Sequence, residues 1–247
     1  MSELMFGRNT VKAVLDTREL SQIESVLVQE GSLELVKLVS SYHITPKMVT
    51  KDKLNNVCHN GNHQGIACYV ASYKTYSLKE LMDAIKDKSH ALIVALDNLE
   101  DPHNLGAILR TCEASGVSGI IYPKNHSVSL NATVAKVSTG AIEVVPCCEV
   151  TNLTQAIKAL KKEGFWVYGA EHDESSLRYD QVRYDSATVL VLGSEGKGIS
   201  RLVSEECDYH ISIPMVGMIN SLNVSVAAGL LIYEIRRSQG AFDQHKS

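Results

Sequence analysis

The sequence lacks an apolar run of the roughly 18 residues that a membrane-spanning helix needs. Its start, MSELMFGRNT, also lacks the basic-then-apolar layout of a secretory signal, so we expect a cytoplasmic protein. The six cysteines include no CxxC pair, which argues against a thiolate metal site and predicts reduced, buried thiols. We expect no metal ligand set among the nine histidines either.

An excess of positive charge is absent as well. The formal net charge is −4, so the composition alone gives no sign of a nucleic-acid partner. Residues 1–74 carry eight Lys or Arg against seven Asp or Glu, which leaves this segment nearly neutral. Any surface that binds a polyanion must therefore gather its basic side chains locally.

The chain is divided by its patterning into three parts. Residues 1–74 mix short apolar runs with turn-rich stretches such as CHNGNHQG, and residues 75–90 form a polar linker. In residues 91–247, apolar strands alternate with helices, which predicts an α/β fold with a parallel sheet covered on both faces. The predicted strands are ALIVAL, GIIY, IEVVP, FWVYGA, TVLVLG and YHISIP. Asp101 as N-cap, Pro102 at the first helical position and Gly116 as a stop signal bound one helix.

Ligands of such sheets bind beyond the carboxyl ends of the strands, where we expect LDNLEDPHNLG, LGSEGKG and IPMVGMINS to converge. The second loop is not a phosphate loop, because Gly198 follows Lys197 where Ser or Thr is needed. It is not a dinucleotide fingerprint either, since Arg201 stands in place of the third glycine. Glu195 favours a ligand that is neutral or positive beside it.

Three stretches carry a family resemblance: NLGAILRTCEASGV, LVLGSEGKGIS and ISIPMVGMINSLNVSVAAG. They resemble the three motifs of the SpoU (TrmH) family in the SPOUT superfamily, over roughly Ala91 to Arg237. The resemblance implies an S-adenosylmethionine-dependent RNA ribose 2′-O-methyltransferase. It also implies a deep trefoil knot in the sheet domain, although chains rarely knot. Homodimers with active sites at the subunit contact are implied as well.

One branch of the family is more similar than the rest. The segments FGRNTVKAVL and HQGIACYV, together with DPHNLGA, resemble the RlmB branch, which methylates a guanosine ribose of 23S rRNA. In that branch the leading domain is an L30e-like α/β module that binds the RNA substrate. We accordingly expect residues 1–74 to bind RNA, with Arg8, Asn9 and Lys12 as candidate contacts.

The resemblance also implies roles for individual residues. The positions that match cofactor-binding residues of the family are Gly193, Ile213 and Leu222, and Gly196 is expected to shape the same loop. The expected catalytic set comprises Arg110, Asn104, Glu195, Ser221 and Asn223. Because a guanidinium stays protonated, we expect Arg110 to hold an RNA phosphate and stabilise the developing alkoxide rather than act as a base. The proton acceptor is not identified.

Several alternatives stay open at this point. The motifs bind cofactor and ribose, so a tRNA enzyme or an rRNA enzyme with another target nucleotide fits them equally. A non-catalytic RNA-binding factor in ribosome assembly is a third possibility. The last helix, SLNVSVAAGLLIYEIRRS, is apolar on most of its circumference, which favours a homodimer interface.

Overall fold

The computed structural model describes residues 2–18, 20–125, 127–172, 175–194, 196–218 and 221–243. The chain divides into two compact units, Met1–Tyr73 and Lys74–Ser247. None of the helices within these ranges has the length and apolar character needed to cross a bilayer.

The first unit is a mixed sheet with helices. Its strands are β1 (Ser2–Phe6), β2 (Ile23–Gln29), β3 (Lys47–Val49) and β4 (Ile66–Ala71), in the sheet order β1-β4-β2-β3. Its helices are α1 (Arg8–Thr17), α2 (Leu33–Ser40) and α3 (Lys51–Val57). β4 runs antiparallel to β1 and β2, while β2 and β3 are parallel. The core packs Leu27, Leu54 and Ala67 between sheet and helices.

The second unit is built on a seven-stranded parallel sheet in the order β7-β6-β5-β10-β8-β11-β9. The strands are β5 (Leu92–Leu96), β6 (Gly119–Pro123), β7 (Cys147–Val150), β8 (Trp166–Ala170), β9 (Leu177–Arg178), β10 (Thr188–Leu192) and β11 (Tyr209–Ser212). The helices are α4 (Leu78–Ile85), α5 (Pro102–Ser115), α6 (Ala132–Ser138), α7 (Ala141–Val144), α8 (Leu153–Lys162), α9 (Arg201–Ser204) and α10 (Val224–Ser238). The central strands β5 and β10 are buried at every position, which explains their continuous apolar runs.

Helix α5 begins and ends where its capping signals predict. Asp101 Oδ1 accepts a hydrogen bond from the His103 N–H (2.9 Å), and Pro102 occupies the first turn. Gly116 ends the helix in the left-handed region, with φ of 70°. These local signals agree with the tertiary packing, so the helix boundaries were predictable.

Two segments differ from the sequence-based prediction. The stretch IEVVP was predicted as a strand, but Ala141–Val144 form helix α7, and the strand β7 follows at Cys147–Val150. Val144 is 66% exposed, so the β-branched residues that suggested a strand do not line a sheet. The segment 75–90, predicted as a polar linker, contains α4, whose Leu81 and Ile85 are buried in the core. A capping box between Ser77 and Glu80 begins this helix.

Helix α10 presents two different faces. One face, with Leu231, Ile232 and Ile235, is buried against the sheet and α5. The Arg236 guanidinium adds a link to α5, since its Nε donates to the Ser115 carbonyl (3.0 Å). The other face carries large apolar side chains that are 42–51% exposed: Val226, Leu230 and Tyr233.

Candidate functional site

The main candidate site is a cavity of about 690 Å³ at the carboxyl ends of β8 and β10 and the start of α10. We call it the Gly193 cavity. It brings together the second and third sequence motifs; its lining includes Ala170, Glu171, His172, Gly193, Ser194, Gly196, Lys197, Gly198, Ser221, Leu222, Asn223 and Ala227. The position agrees with the rule that open parallel sheets bind ligands beyond the strand ends.

The glycine loop of this cavity closes tightly on itself. The Ser194 N–H donates to the Gly198 carbonyl (3.1 Å), and the Gly198 N–H donates back to the Ser194 carbonyl (3.0 Å). A Cβ on Gly193 would lie 2.1 Å from the Gly198 carbonyl carbon, so a side chain at this position is incompatible with the closed loop. Gly196 has a φ of 83°, which places the turn in the left-handed region.

A buried carboxylate anchors the far end of the loop. Asp97 directly follows β5, and its Oδ2 accepts a hydrogen bond from the Ser200 N–H (2.6 Å). Its Oδ1 accepts from the Asn98 side-chain amide (2.8 Å), while its own N–H donates to the Leu192 carbonyl (2.8 Å). Asp97 lies in the first predicted loop, LDNLEDPHNLG, but the motifs predicted no role for it. Its position directly after a wholly apolar strand was the available signal.

The first and third motifs meet at one hydrogen bond. The Asn223 Nδ2 donates to the Asn104 Oδ1 (3.0 Å), although the two residues are 119 positions apart. Asn223 also caps α10, because its Oδ1 accepts from the Ser225 N–H (2.9 Å). Asn104 is 7% exposed and lines a neighbouring cavity of about 370 Å³ that shares Ser194 and Lys197 with the Gly193 cavity.

The other predicted cofactor residues lie on the same wall. Ile213 lines a cavity of about 140 Å³, and Leu222 and Ser221 line both this cavity and the Gly193 cavity. The two cavities are thus adjacent and share part of their lining. The structure brings together Gly193, Gly196, Ile213, Leu222, Ser221, Asn223 and Asn104.

Arg110 lies elsewhere. It is exposed on α5 and lines a separate cavity of about 400 Å³ with Glu113, Ser138, Thr139 and Val144, which we call the Arg110 cavity. No residue lines both this cavity and the Gly193 cavity in the described parts of the chain. Within one chain, therefore, the expected catalytic arginine does not line the Gly193 cavity. Glu195 lies outside the described residues.

The candidate RNA contacts are all on α1 of the first unit. Arg8 forms an ion pair with Glu34 (3.5 Å), and Lys12 forms one with Asp16 (2.8 Å). Asn9 is exposed. Each of the two basic side chains therefore has an acidic side chain beside it.

Metal binding finds no support within the described residues of either unit, and the thiol beside the Gly193 cavity is protonated. Within the described residues, no group of three His, Cys, Asp or Glu is arranged to hold a metal ion. His59 and His63 do stand four residues apart, but the His63 ring nitrogens contact Asn55 Oδ1 (2.9 Å) and the Gly65 N–H (3.0 Å). Burial raises the pKa of the Cys207 thiol, near Glu171, to about 12, so it is protonated at neutral pH.

Family models match both units. The SpoU rRNA methylase family matches residues 91–233, and a family described as RNA 2′-O ribose methyltransferase substrate binding matches residues 4–76. A Staphylococcus epidermidis protein is 43% identical over 247 residues, which cover 98% of each chain. A Staphylococcus aureus protein is 45% identical over 242 residues, which cover 96% of each. The names of both place them in the TrmH family of tRNA/rRNA methyltransferases.

Solved structures show the same fold. An AdoMet-bound rRNA methyltransferase from Sinorhizobium meliloti superposes with a TM-score of 0.64 at 25% identity, covering 96% of this chain and 87% of the other. The TrmH/SpoU tRNA modifying enzyme of A. aeolicus gives a TM-score of 0.58 at 35% identity, covering 67% of this chain and 83% of the other. The chain therefore belongs to the SpoU methylase family and is an RNA methyltransferase.

Proposed function

We propose that the protein transfers a methyl group from S-adenosylmethionine to the ribose 2′-hydroxyl of a guanosine in 23S rRNA. The observation that supports methyl transfer at this site is the hydrogen bond between Asn223 and Asn104, which joins the first and third motifs beside the Gly193 cavity. The choice of a guanosine in 23S rRNA rests on the resemblance of the leading segment to one branch of the family. The three motifs then line two neighbouring cavities that share Ser194 and Lys197 at the carboxyl edge of the sheet.

The residues present fit the proposed cofactor. The Gly193 cavity has room for a nucleoside-sized ligand, and its glycine loop exposes backbone groups that can approach an adenine closely. Ile213 and Leu222 supply an apolar wall, which excludes water from the base. When bound, S-adenosylmethionine would supply an electrophilic methyl group on a sulfonium. A water-poor wall favours loss of that positive charge during transfer.

The position of Arg110 bears on how the site is completed. Its guanidinium forms no hydrogen bond or ion pair within the described residues, and it faces a cavity of its own. We propose that the enzyme is a homodimer in which Arg110 reaches the Gly193 cavity of the partner subunit. The apolar outer face of α10 supports a dimer, because exposed patches of this kind commonly mark interfaces. There Arg110 would bind an RNA phosphate and stabilise the developing alkoxide.

The first unit is proposed to bind the RNA. Residues 4–76 match a substrate-binding family, and Arg8, Asn9 and Lys12 share the exposed surface of α1. Phosphate contacts of such side chains position an RNA without reading its sequence. We also propose that the knot implied by the family is present in the second unit.

One experiment tests the target. Purified protein is incubated with labelled S-adenosylmethionine and either unmodified 23S rRNA or total tRNA, and the 2′-O-methyl position is then mapped. We expect label in 23S rRNA, at a single guanosine. Label in tRNA alone would contradict the rRNA assignment, and label at another rRNA nucleotide would contradict the guanosine assignment.

A further inference from the structure

Glu171 lines the candidate site but belongs to none of the three sequence motifs. It directly follows β8, and it lines both the Gly193 cavity and the cavity that contains Ile213. Its N–H donates to the Ile211 carbonyl of the neighbouring strand (3.1 Å), so the backbone position is fixed by the sheet. A charged side chain is thus held at the boundary between the two cavities.

The two carboxylate oxygens of Glu171 have different surroundings. Oε2 accepts a hydrogen bond from Ser204 Oγ (3.1 Å) and lies 3.4 Å from His210 Nδ1, a buried atom with no hydrogen-bond partner among the described residues. Oε1 has no partner in the same ranges, and a Cβ built on Gly198 would lie 3.5 Å from it. One oxygen is therefore anchored, while the other stands beside the glycine loop of the cavity.

The free oxygen restricts the chemistry of its ligand. A carboxylate oxygen accepts hydrogen bonds, so the ligand group opposite it must be a donor. The adjoining wall of Ile213, Leu222 and Ala227 is apolar and suits the adenine, which places the ribose between that wall and the glycine loop. In dinucleotide-binding folds, an acidic side chain near a glycine loop accepts a hydrogen bond from a ribose hydroxyl in the same way.

We propose that Glu171 binds the ribose hydroxyls of the adenosine half of S-adenosylmethionine, with Ser204 as a positioning residue that orients its carboxylate. This inference rests on the proposed function, because it assumes that the Gly193 cavity holds that cofactor. Glu171 would also contribute to specificity. A ligand without ribose hydroxyls leaves the carboxylate oxygen without a hydrogen-bond donor, and it therefore binds less tightly.

The test measures binding rather than turnover. Calorimetry compares the protein with Glu171→Gln, using S-adenosylhomocysteine, 5′-methylthioadenosine and the 2′,3′-dideoxy analogue of 5′-methylthioadenosine. We expect Glu171→Gln to weaken the first two ligands by about tenfold or more, since hydrogen bonds to charged groups are the strong ones. The dideoxy analogue should bind both proteins equally. Ser204→Ala should weaken the first two ligands by a smaller factor.

Glu163→Gln is the matched control, because Glu163 is exposed just before the opposite end of β8. It should bind all three ligands as the unchanged protein does. A loss in Glu171→Gln confined to S-adenosylhomocysteine would mean that the carboxylate binds the amino-acid end, and would overturn the ribose assignment. An equal loss with the dideoxy analogue, or no loss at all, would also overturn it. Failure of the unchanged protein to bind S-adenosylhomocysteine would instead remove the proposed function itself.

Discussion

Two positions on helix α5, in its first turn and in its middle, serve different surfaces. Asn104, in its first turn, contacts Asn223 beside the Gly193 cavity, whereas Arg110 lines a cavity with α6 and α7. Six residues correspond to about 9 Å along a helix and about 240° around it, so the two side chains lie on different faces of the helix. A motif that is continuous in sequence is thus split by the geometry of the helix.

The largest expected effect follows loss of the arginine. Arg110→Ala should lower kcat by about 10³-fold or more, because a charged donor to the developing alkoxide is removed. The affinity for S-adenosylhomocysteine should not change, since the proposed contact of Arg110 is with an RNA phosphate and not with the cofactor. Single-turnover kinetics and calorimetry measure the two quantities. Near-normal turnover would show that the role of Arg110 is misassigned.

Gly193, in the glycine loop, should show the opposite pattern, because its replacement should reduce the affinity for the cofactor. Gly193→Ala should weaken S-adenosylhomocysteine by about 100-fold, because a Cβ 2.1 Å from the Gly198 carbonyl carbon forces the loop open. Overpacking of this kind also lowers the free energy of unfolding by about 1–3 kcal/mol. Calorimetry and thermal unfolding record both losses. Arg110→Ala is the control that keeps affinity, and an unchanged affinity in Gly193→Ala would contradict the proposed cofactor position.

A smaller effect is expected when the hydrogen bond between Asn223 and Asn104 is removed. Asn223→Ala removes the cap of α10 and the contact with Asn104, and should lower the free energy of unfolding by about 1 kcal/mol. Turnover should fall about tenfold, which corresponds to a loss of about 1.4 kcal/mol of transition-state stabilisation when Asn104 is no longer held in place. Asn152→Ala is the matched variant, since Asn152 caps α8 through the Gln155 N–H (3.0 Å) and does not line the Gly193 cavity. It should lose similar stability and keep full turnover; equal losses of turnover would reduce Asn223 to a structural cap.

The sequence predicted those parts of the molecule that depend on local signals. The caps of α5 and the apolar strands β5 and β10 are examples, because their side chains interact mainly with near neighbours or with a uniform interior. The strand predicted for IEVVP was wrong, because β-propensity reflects the packing of side chains on a partly buried sheet, and Val144 is 66% exposed. Helix α4 was predicted as part of a polar linker, because its buried apolar residues, Leu81 and Ile85, are separated and flanked by charged residues in the sequence.

The sequence predicted which loops form the candidate site, but not the hydrogen bonds that hold these loops together. The convergence of three loops follows from the parallel sheet, whose strand ends share one edge. The bonds that fix them, from Asp97 to Ser200 and from Asn223 to Asn104, join residues more than 100 positions apart. No local pattern encodes such a pair. The separation of Arg110 from Asn104 follows from the helix period, whereas the neighbours of Arg110 depend on how α5 packs against α6 and α7.

Mixed dimers decide whether the two cavities act together across subunits. If Arg110 of one chain completes the Gly193 cavity of its partner, a dimer of Arg110→Ala with Gly193→Ala contains one intact site. The isolated mixed dimer should then have about half of the unmodified activity, although the two variants it is made from are each inactive. Activity is measured after the two chains are co-expressed and the mixed dimer is isolated by two affinity tags. If both residues act within one chain, every site carries a defect and the isolated dimer stays inactive. That outcome would require Arg110 to reach the cavity within its own chain, by a rearrangement of α5 on RNA binding.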